Sequence, residues 1–596
     1  MIKVSDYVVK FLVDRGVGDL FLISGGGIIH LVDSIGRHPG LRYWCNYNEQ
    51  ATAYCAEGYA RLAGRPAVCF VTTGPGSTNA VSGVASAFVD SVPLLVVSGQ
   101  VKRELIADYT RLRQIGEQEI DIVDIVRPVT KYATTVARPE DIRRCLEEAY
   151  HHAVDGRQGP VWVNIPLDVQ GSTVDEASLE AFVPPAAPPR TGDLAGAART
   201  ALAWLGAARR PVVLFGSGVR HAGATALMER FLERHRIPAL LSFNGQDLLH
   251  DDHPLLAGKP GIIGQRRANF ALQNADCLLA VGSRLNIKIV GYNFRGFAPR
   301  AKKIVVDIDA AELAKPTIAP DLAVVADAGE FLAELLRCGE GMGHLAPEPW
   351  LAACADWKKR YPNVVPDFFE DRGHVNTYVF FDVLSDLLGS DDAVVTANGT
   401  AALCLFQALR VKRGQRAFTN NGYGAMGWGL PAAIGACLAR DRRRTVCVEG
   451  DGSLQMNVQE LEFVRYHRLP LKLFVLNNAG YTSIRLTQDT FFDGLYTAAD
   501  AGSGVGASDW PALAAAYGLA YRRLDDNGAL RAGIAEALAL EGPVLCDLNV
   551  SPRQGIHPKA ASFRREDGSF ESRPLEDMFP FLPREELREN MRFSAG

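Results

Sequence analysis

What the chain lacks narrows the field first. Its 11 cysteines are scattered and show none of the C-x-x-C spacing of a zinc or dithiol site. No apolar run reaches the roughly 18–20 residues that a membrane span requires. Acidic and basic residues nearly balance, 68 against 63, so no broad basic surface argues for nucleic acid. Short-period repeats and long low-complexity tracts are absent. No secretory leader is legible at the first residues, which with the scattered thiols gives the expectation of a reducing, cytoplasmic setting. The expected partners are therefore small molecules rather than nucleic acid or membrane. At 47% hydrophobic and 22% charged the chain reads as folded and globular, and 596 residues suggest three or four domains.

The organising stretch is Glu449-Gly450-Asp451-Gly452-Ser453, followed by Asn477-Asn478. Residues 444–448 read as a buried strand, 458–466 as a helix and 471–476 as the next parallel strand. Asp451 and Asn478 thus fall just beyond the carboxyl ends of two strands of a β-α-β unit, where open α/β sheets bind ligands. Asp451 offers a hard anionic oxygen and Asn478 an amide oxygen. That pair suits a magnesium ion sharing its roughly six oxygens with a diphosphate. Gly450 and Gly452 allow close backbone approach to phosphate, and the following helix aims free N–H groups at it. A Gly-Asp-Gly triplet by itself is more often a plain βα turn. The Asn477-Asn478 pair at the end of the next strand sets this one apart.

This pattern resembles the thiamine-diphosphate (ThDP) signature of the acetolactate synthase, pyruvate oxidase and decarboxylase superfamily, and the resemblance spans nearly the whole chain. It implies that Asp451, Asn478 and the carbonyl of Gly480 hold Mg2+. It also implies an α/β fold of three doubly wound parallel-sheet domains. These are a pyrimidine-binding domain at 1–175, a central domain at 190–340 and a diphosphate-binding domain at 360–550, followed by a C-terminal extension at 551–596.

In the first domain a strand at 19–23 runs into Ser24-Gly25-Gly26-Gly27, without the G-x-G-x-x-G spacing of a dinucleotide fingerprint. A strand at 41–47 delivers Asn48-Glu49-Gln50 to the helix 51–63. An acid at a helix start ordinarily complements the dipole, worth ~0.3–1 kcal/mol. The run 48–61, however, resembles the family's glutamate helix. There the glutamate hydrogen-bonds N1′ of the cofactor pyrimidine, because a buried carboxylate can share a proton with a ring nitrogen. Gly74-Pro75-Gly76 with Asn79, and Gly26 opposite, resemble the loops beside that pyrimidine. Residues 114–119 resemble the loop that places a glutamine at the mouth of acetolactate synthase sites. Gln118 takes that place here, with Glu117 where the family has an aromatic.

The prolines at 184–189 form a semi-rigid linker. Alternating strands and helices at 211–307 then imply a parallel sheet. Two readings of this unit stay open. One is a spacer without chemistry. The other is an FAD site, because Arg157, Gly216, Gly218, Ser242, Ile263, Gly282, Arg284, Asp307 and Asp327 fall where acetolactate synthases contact FAD. Glycine N–H groups and arginines suit phosphates, and acids suit ribose hydroxyls. The chain departs from that pattern at Asn286-Ile287, where the family has an acidic pair, and at Lys288, where it has an arginine.

In the third domain Asn398, Gly399 and Thr400 end a strand in position to cradle a diphosphate. The block 422–436 resembles the family's segment before Gly-Asp-Gly. It carries Gly424 and Met426, the apolar wedge that bends ThDP; a core methionine is the bland alternative. Gly450, Gly452 and Ser453 complete the expected cofactor contacts. The resemblance implies catalysis by Glu49 and Gln118, with the two half-sites contributed by different subunits of a homodimer or homotetramer. Thr487 stands where acetolactate synthases carry a tryptophan that selects the acceptor. The tail resembles acetolactate-synthase-like carboligases of surface-polysaccharide pathways. It reads equally as a cover for the site entrance and as a packed extension.

The expected activity is a ThDP- and Mg2+-dependent carboligation from pyruvate to a 2-keto acid or ketone, with a keto-sugar nucleotide among the possible acceptors. One alternative is a simple 2-keto-acid decarboxylase or C–C hydrolase; such decarboxylases often use a histidine pair, and His30 is alone. The other is a non-catalytic assembly or regulatory homologue, against which Glu49, Asp451 and Asn478 stand intact.

Overall fold

A computed structural model describes residues 1–186, 190–567 and 570–594, so Ala187, Pro188 and Pro189 of the expected linker and Gly568 of the tail lie outside it. Three six-stranded sheets carry the chain, and every pairing within them is parallel.

The first sheet contains β1 (Asp19–Leu22), β2 (Arg42–Cys45), β3 (Ala67–Val71), β4 (Leu94–Gln100), β5 (Tyr132–Thr135) and β6 (Val161–Pro166), in the order β2-β1-β3-β4-β6-β5. The middle sheet contains β7 (Pro211–Phe215), β8 (Ala239–Leu241), β9 (Leu256–Gly258), β10 (Cys277–Val281), β11 (Lys302–Asp307) and β12 (Leu322–Val325). Its order is β9-β8-β7-β10-β11-β12, that of dinucleotide-binding sheets. The third sheet contains β13 (Ala393–Thr396), β14 (Arg416–Thr419), β15 (Thr445–Gly450), β16 (Leu471–Asn477), β17 (Ala520–Leu524) and β18 (Val544–Asn549). Its order, β14-β13-β15-β16-β18-β17, repeats that of the first. Each sheet reverses its strand order near its middle, the first and third inverting again at one edge, and ligands bind such sheets in the crevice opened by the central reversal.

The first and third units dock through α1 (Glu49–Ala63) and α5 (Gly429–Leu438), the helix preceding β15. Glycine sets their approach. A Cβ on Gly58 would meet Ala432 O at 2.1 Å, and one on Gly435 would meet Cys55 O at 1.9 Å. The buried cluster around this crossing is continuous from Phe21 and Trp162 in the first unit to Trp428 and Leu473 in the third.

Charge is buried there as well. Glu57 is fully buried and accepts from Arg61, from Ser86 Oγ at 2.8 Å and from the Trp428 indole at 2.8 Å. Arg61 also donates to Asp90 at 2.7 Å, and Asp90 accepts from Asn244 of the middle unit at 3.0 Å. Arg416 donates to Arg61 O and, with Arg220, to Asp247.

The tail lies on the middle unit. Ala560 N donates to Ile262 O at 2.6 Å, and helix Arg584–Asn590 brings Asn590 against Trp357 and Asn274. Asn269 Nδ2 donates to Leu575 O at 2.9 Å. Of the two readings of the tail, these contacts are those of a packed extension. Among the described residues no helix is long and apolar enough to cross a membrane, and all eleven cysteines are unpaired.

Candidate functional site

The order reversal of the third sheet falls between β13 and β15. Helix α4 (Gly399–Ala408) opens the first lip, with Asn398 before it donating to Gly424 O at 2.5 Å and Gly399 at φ +59°. Thr400 is buried in its first turn. On the second lip Asp451 follows β15 directly. Its carboxylate accepts from Gly452 N at 2.8 Å and from Gly480 N at 3.0 Å, which draws the ends of β15 and β16 together. Burial pushes the Asp451 carboxyl up, offset in part by those N–H groups. Asn478 Oδ1 is buried without a hydrogen-bond partner. Arg485 holds the turn between them, donating to Asn478 O at 2.7 Å and Ala479 O at 3.0 Å. A buried acid beside an orphaned amide oxygen is a donor set that a divalent cation completes.

The glycines divide their work. Gly450 has open space where a side chain would stand, whereas a Cβ on Gly452 would meet the Tyr481 ring at 2.3 Å. Gly452 is thus required by packing as well as by backbone approach. Ser453 turns inward: its hydroxyl donates to Glu449 at 2.8 Å and accepts from Gly427 N at 2.9 Å. Its side chain is therefore committed to the protein rather than free for a cofactor. Glu449 is fully buried, also accepts from Leu430 N at 2.9 Å, and is pushed up to about 7 by burial. Through Ser453 and Glu449 the Gly-Asp-Gly loop is tied to the segment that carries Gly424 (φ +74°) and half-buried Met426.

The corresponding reversal of the first sheet lies between β1 and β3. Gly26 begins a short 3-10 turn after β1. Gly74, at φ +63°, precedes α2 (Pro75–Val89). From α2, Asn79 Nδ2 donates to Glu49 Oε2 at 3.0 Å, and Gly76 leaves room for Glu49 Oε1. Asn48 caps α1 by accepting from Gln50 N at 2.8 Å, which is why the helix starts at Glu49 and not at the expected residue 51. Gln118 lies at φ +62°, and its carbonyl is pressed on Gly74, where a Cβ would sit 2.0 Å away. Among the described residues no hydrogen bond joins Glu49 to Asp451, Asn478 or Met426. Within one chain the two halves meet instead through neighbouring residues.

Two residues that sequence reasoning missed brace these halves. Glu460, fully buried in α6 (Glu460–Tyr466), accepts from Asn46 Nδ2 and Tyr47 N, both at 2.9 Å. Asn457 donates to Gly427 O at 2.8 Å and Gln50 Oε1 at 3.2 Å. The strand leading to Glu49 is therefore gripped by residues just downstream of Gly-Asp-Gly. The available signal was an acid at the start of a helix, followed by Glu462 and Arg465, which periodicity alone cannot separate from a solvated side chain.

The reversal of the middle sheet, between β7 and β10, opens a cavity of about 350 Å³. Gly218, Ser242, Gly282, Arg284, Asp307 and Asp327 line it, with Arg157 at one wall. Gly216 lies against Gly282, where any side chain would collide with its carbonyl at 2.1 Å. Several polar atoms on the walls are buried without partners: Asn244 Oδ1, Ser283 Oγ, Asn286 Oδ1 and Asn421 Nδ2. Burial pushes the Asp307 carboxyl up to about 6. Such a surface fits a polar ligand with hydroxyl and phosphate groups. Arg157 donates to Asp309, Glu312 and Ser91, and the Asp327 carboxylate caps the helix Ala328–Cys338. Lys288 donates to Asn421 and lies 5.8 Å from the Phe243 ring centroid.

Ile263 requires a correction. It does not line this cavity but packs toward the core of the third unit, beside the tail, because the adjoining Ile262 carbonyl is paired with Ala560.

Comparison with known proteins adds three family matches. Residues 2–125 match the thiamine pyrophosphate enzyme N-terminal TPP binding domain, 198–335 its central domain and 397–548 its C-terminal TPP binding domain. The chain is 31% identical to the acetolactate synthase isozyme 1 large subunit of Escherichia coli, over 93% of this chain and 95% of that protein. It is 32% identical to the acetolactate synthase large subunit of Parasynechococcus marenigrum, over 91% and 87%. It is also 32% identical to acetolactate synthase 1 of Zea mays, over 94% and 87%.

Glu460 supplies a test of the brace. Burial, partly offset by the N–H groups of Asn46, Tyr47 and Asn48, lifts its carboxyl from the ordinary 4.5 to about 7. The folded chain thus holds this proton more tightly than the unfolded chain. That contribution is complete below about 4.5 and is lost as pH rises through about 7. Glu460→Gln removes the titration. Wild type should lose urea resistance relative to the variant between about pH 5 and about pH 8. Parallel unfolding midpoints across that window would refute the assignment.

Proposed function

The chain belongs to the thiamine pyrophosphate enzymes of the acetolactate synthase type, and we propose from this premise that it transfers a two-carbon unit from pyruvate, with loss of CO2, to a 2-keto acid or ketone. The observation that carries the assignment to its residues is the orphaned Asn478 Oδ1 beside buried Asp451, at the order reversal of the third sheet. Asp451, Asn478 and the Gly480 carbonyl would hold Mg2+, and Asn398, Gly399, Thr400, Gly450 and Gly452 would line the diphosphate. Bound ThDP supplies the electron sink for decarboxylation and for the new carbon–carbon bond. Glu49 accepts from Asn79 through Oε2, which leaves Oε1 to share a proton with the pyrimidine N1′. Met426 would press the cofactor rings together. Gln118 would face the acceptor.

In this reading, as in the family the sequence resembles, a complete site draws Glu49 from one copy and the Gly-Asp-Gly loop from another. The assembly is accordingly a homodimer, or a homotetramer of two such pairs. The domain limits follow the three sheets: 1–175, 190–340 and 360–550, with the tail at 551–596.

Glu49→Gln is the direct test. It should abolish proton exchange at C2 of bound ThDP, read by NMR, while ThDP and Mg2+ still bind. Exchange at the wild-type rate in the variant would remove Glu49 from the mechanism.

The middle cavity is assigned to FAD, held rather than reduced. Its sheet order, its glycine-lined reversal and its unpartnered wall atoms support a dinucleotide. Purified protein should be yellow and carry flavin near one per chain. A colourless preparation that also fails to take up added FAD would return this unit to the spacer reading.

The acceptor side is wide in this reading. Thr487 is exposed on α7 (Thr482–Phe491), its hydroxyl turned back to Ser483 O at 3.0 Å, and Glu117 is exposed beside Gln118. Both replace apolar bulk, and an apolar wall discriminates a methylene by only ~1–3 kcal/mol. Acceptors larger than pyruvate, ketones included, should therefore be used, and Thr487→Trp should shift kcat/KM toward small 2-keto acids in competing-acceptor assays. Wild-type enzyme that accepts only pyruvate would defeat this reading.

A further inference from the structure

The outer part of the loop that carries Gln118 has little to rest on. Leu112 and Ile115 are each 52% exposed, and Arg111, Arg113 and Gln114 also face solvent. Within the excursion the hydrogen bonds of Asp108 are local, to Thr110, Arg111 and Leu112. Yet Gln118 is held in a left-handed conformation with its carbonyl on Gly74, the residue that opens the helix bearing Asn79. Something must fix the loop at its base.

That base is the Glu119 side chain. It is 3% exposed although it belongs to an exposed loop. Its Oε1 accepts from Ala107 N on the outgoing leg. Its Oε2 accepts from Ile115 N at 2.7 Å and Gly116 N at 2.9 Å on the returning leg. Gly116 N also reaches Leu105 O at 3.1 Å, and Gln114 Nε2 donates to Glu119 O at 3.2 Å. Gln100 anchors the next residue by donating to Ile120 O at 2.9 Å. Burial pushes the Glu119 carboxyl up, and the three N–H groups more than offset it, holding it below the usual carboxylate range. A carboxylate that gathers N–H groups from both legs is acceptor-only, and no neutral side chain of its length is.

We propose that Glu119 is a positioning residue: it closes the neck of the 107–118 loop and thereby sets Gln118 against the acceptor. This rests on the reading of Gln118 given above. Glu119 need touch neither cofactor nor substrate. Its effect should therefore appear where the acceptor is bound and not where the cofactor is activated.

The test uses the full-length enzyme with ThDP and Mg2+ bound, as wild type, Glu119→Gln, Glu119→Asp and Gln118→Ala. In Glu119→Gln the amides of Ala107, Ile115 and Gly116 should exchange with deuterium faster by about ten-fold or more, since their shared acceptor is replaced by a group that is itself part donor. Acceptor kcat/KM should fall by ~10–100-fold, the scale of a misplaced positioning group. Proton exchange at cofactor C2 should stay within about two-fold of wild type, because Glu49 keeps its own partner, Asn79 Nδ2, which Glu119 does not touch. Glu119→Asp, which keeps the charge on a shorter stem, should fold and show a smaller shift in the same direction. If Gln118→Ala is impaired but Glu119→Gln keeps either its amide protection or its acceptor kcat/KM, the role of Glu119 is overturned. If Glu119→Gln instead slows C2 exchange as much as acceptor use, Glu119 is a general structural residue and the proposal also fails. Unchanged acceptor use in Gln118→Ala would overturn the underlying reading of Gln118 instead, a separate failure.

Discussion

The molecule depends on a charge that cannot be left alone. Glu57 has no access to water, and burial pushes its carboxyl up; Arg61 and the Trp428 indole pull it back. Arg61 then serves Asp90, which takes Asn244 from the middle unit, while Arg416 reaches from the third unit to Arg61 O and to Asp247. Removing one member of a buried ionic network strands the others, typically at about 3–5 kcal/mol. The network therefore specifies how three separate sheets sit against one another. That relation matters because each sheet places its candidate site residues at its own central order reversal.

Two further buried acids repeat the device on a smaller scale. Glu460 grips Asn46 and Tyr47 ahead of Glu49, and Glu449 joins the Gly-Asp-Gly loop to the segment of Met426 through Ser453 and Leu430. In each case a carboxylate satisfies backbone N–H groups that the fold would otherwise bury unpaired. The chemistry expected of Glu49 and Asp451 thus stands on acids that take no part in it.

Much of this was legible in the sequence, because buried parallel strands are short apolar runs. The strand expected at 303–307 is Lys302–Asp307, that at 277–281 is Cys277–Val281, and Asp451 and Asn478 sit beyond the ends of β15 and β16. What pattern could not give is pairing at long range. Nothing in the spacing links Glu460 to Asn46, across 414 residues, or tells that the Ser453 hydroxyl turns inward. Ile263 fits the family pattern by position alone, and the tail claims its neighbourhood through a backbone bond of Ile262. The two readings of the tail were equal in sequence because its contacts, Asn269, Gln273 and Asn274 among them, are single polar residues on a helix over 300 residues earlier.

The middle cavity has one property that bears on how the chain is made. Its walls include Asp90 and Ser91 from the first unit and Asn421 and Gly422 from the third. A chain emerging from the ribosome folds its amino-terminal units first. The middle sheet can form at that stage, but its cleft stays one wall short until the segment at 421–422 has been synthesised and has docked. A nucleotide of the kind proposed for this cleft would consequently be captured late, as the last stone of an arch, and its retention would report that all three units have reached their final arrangement.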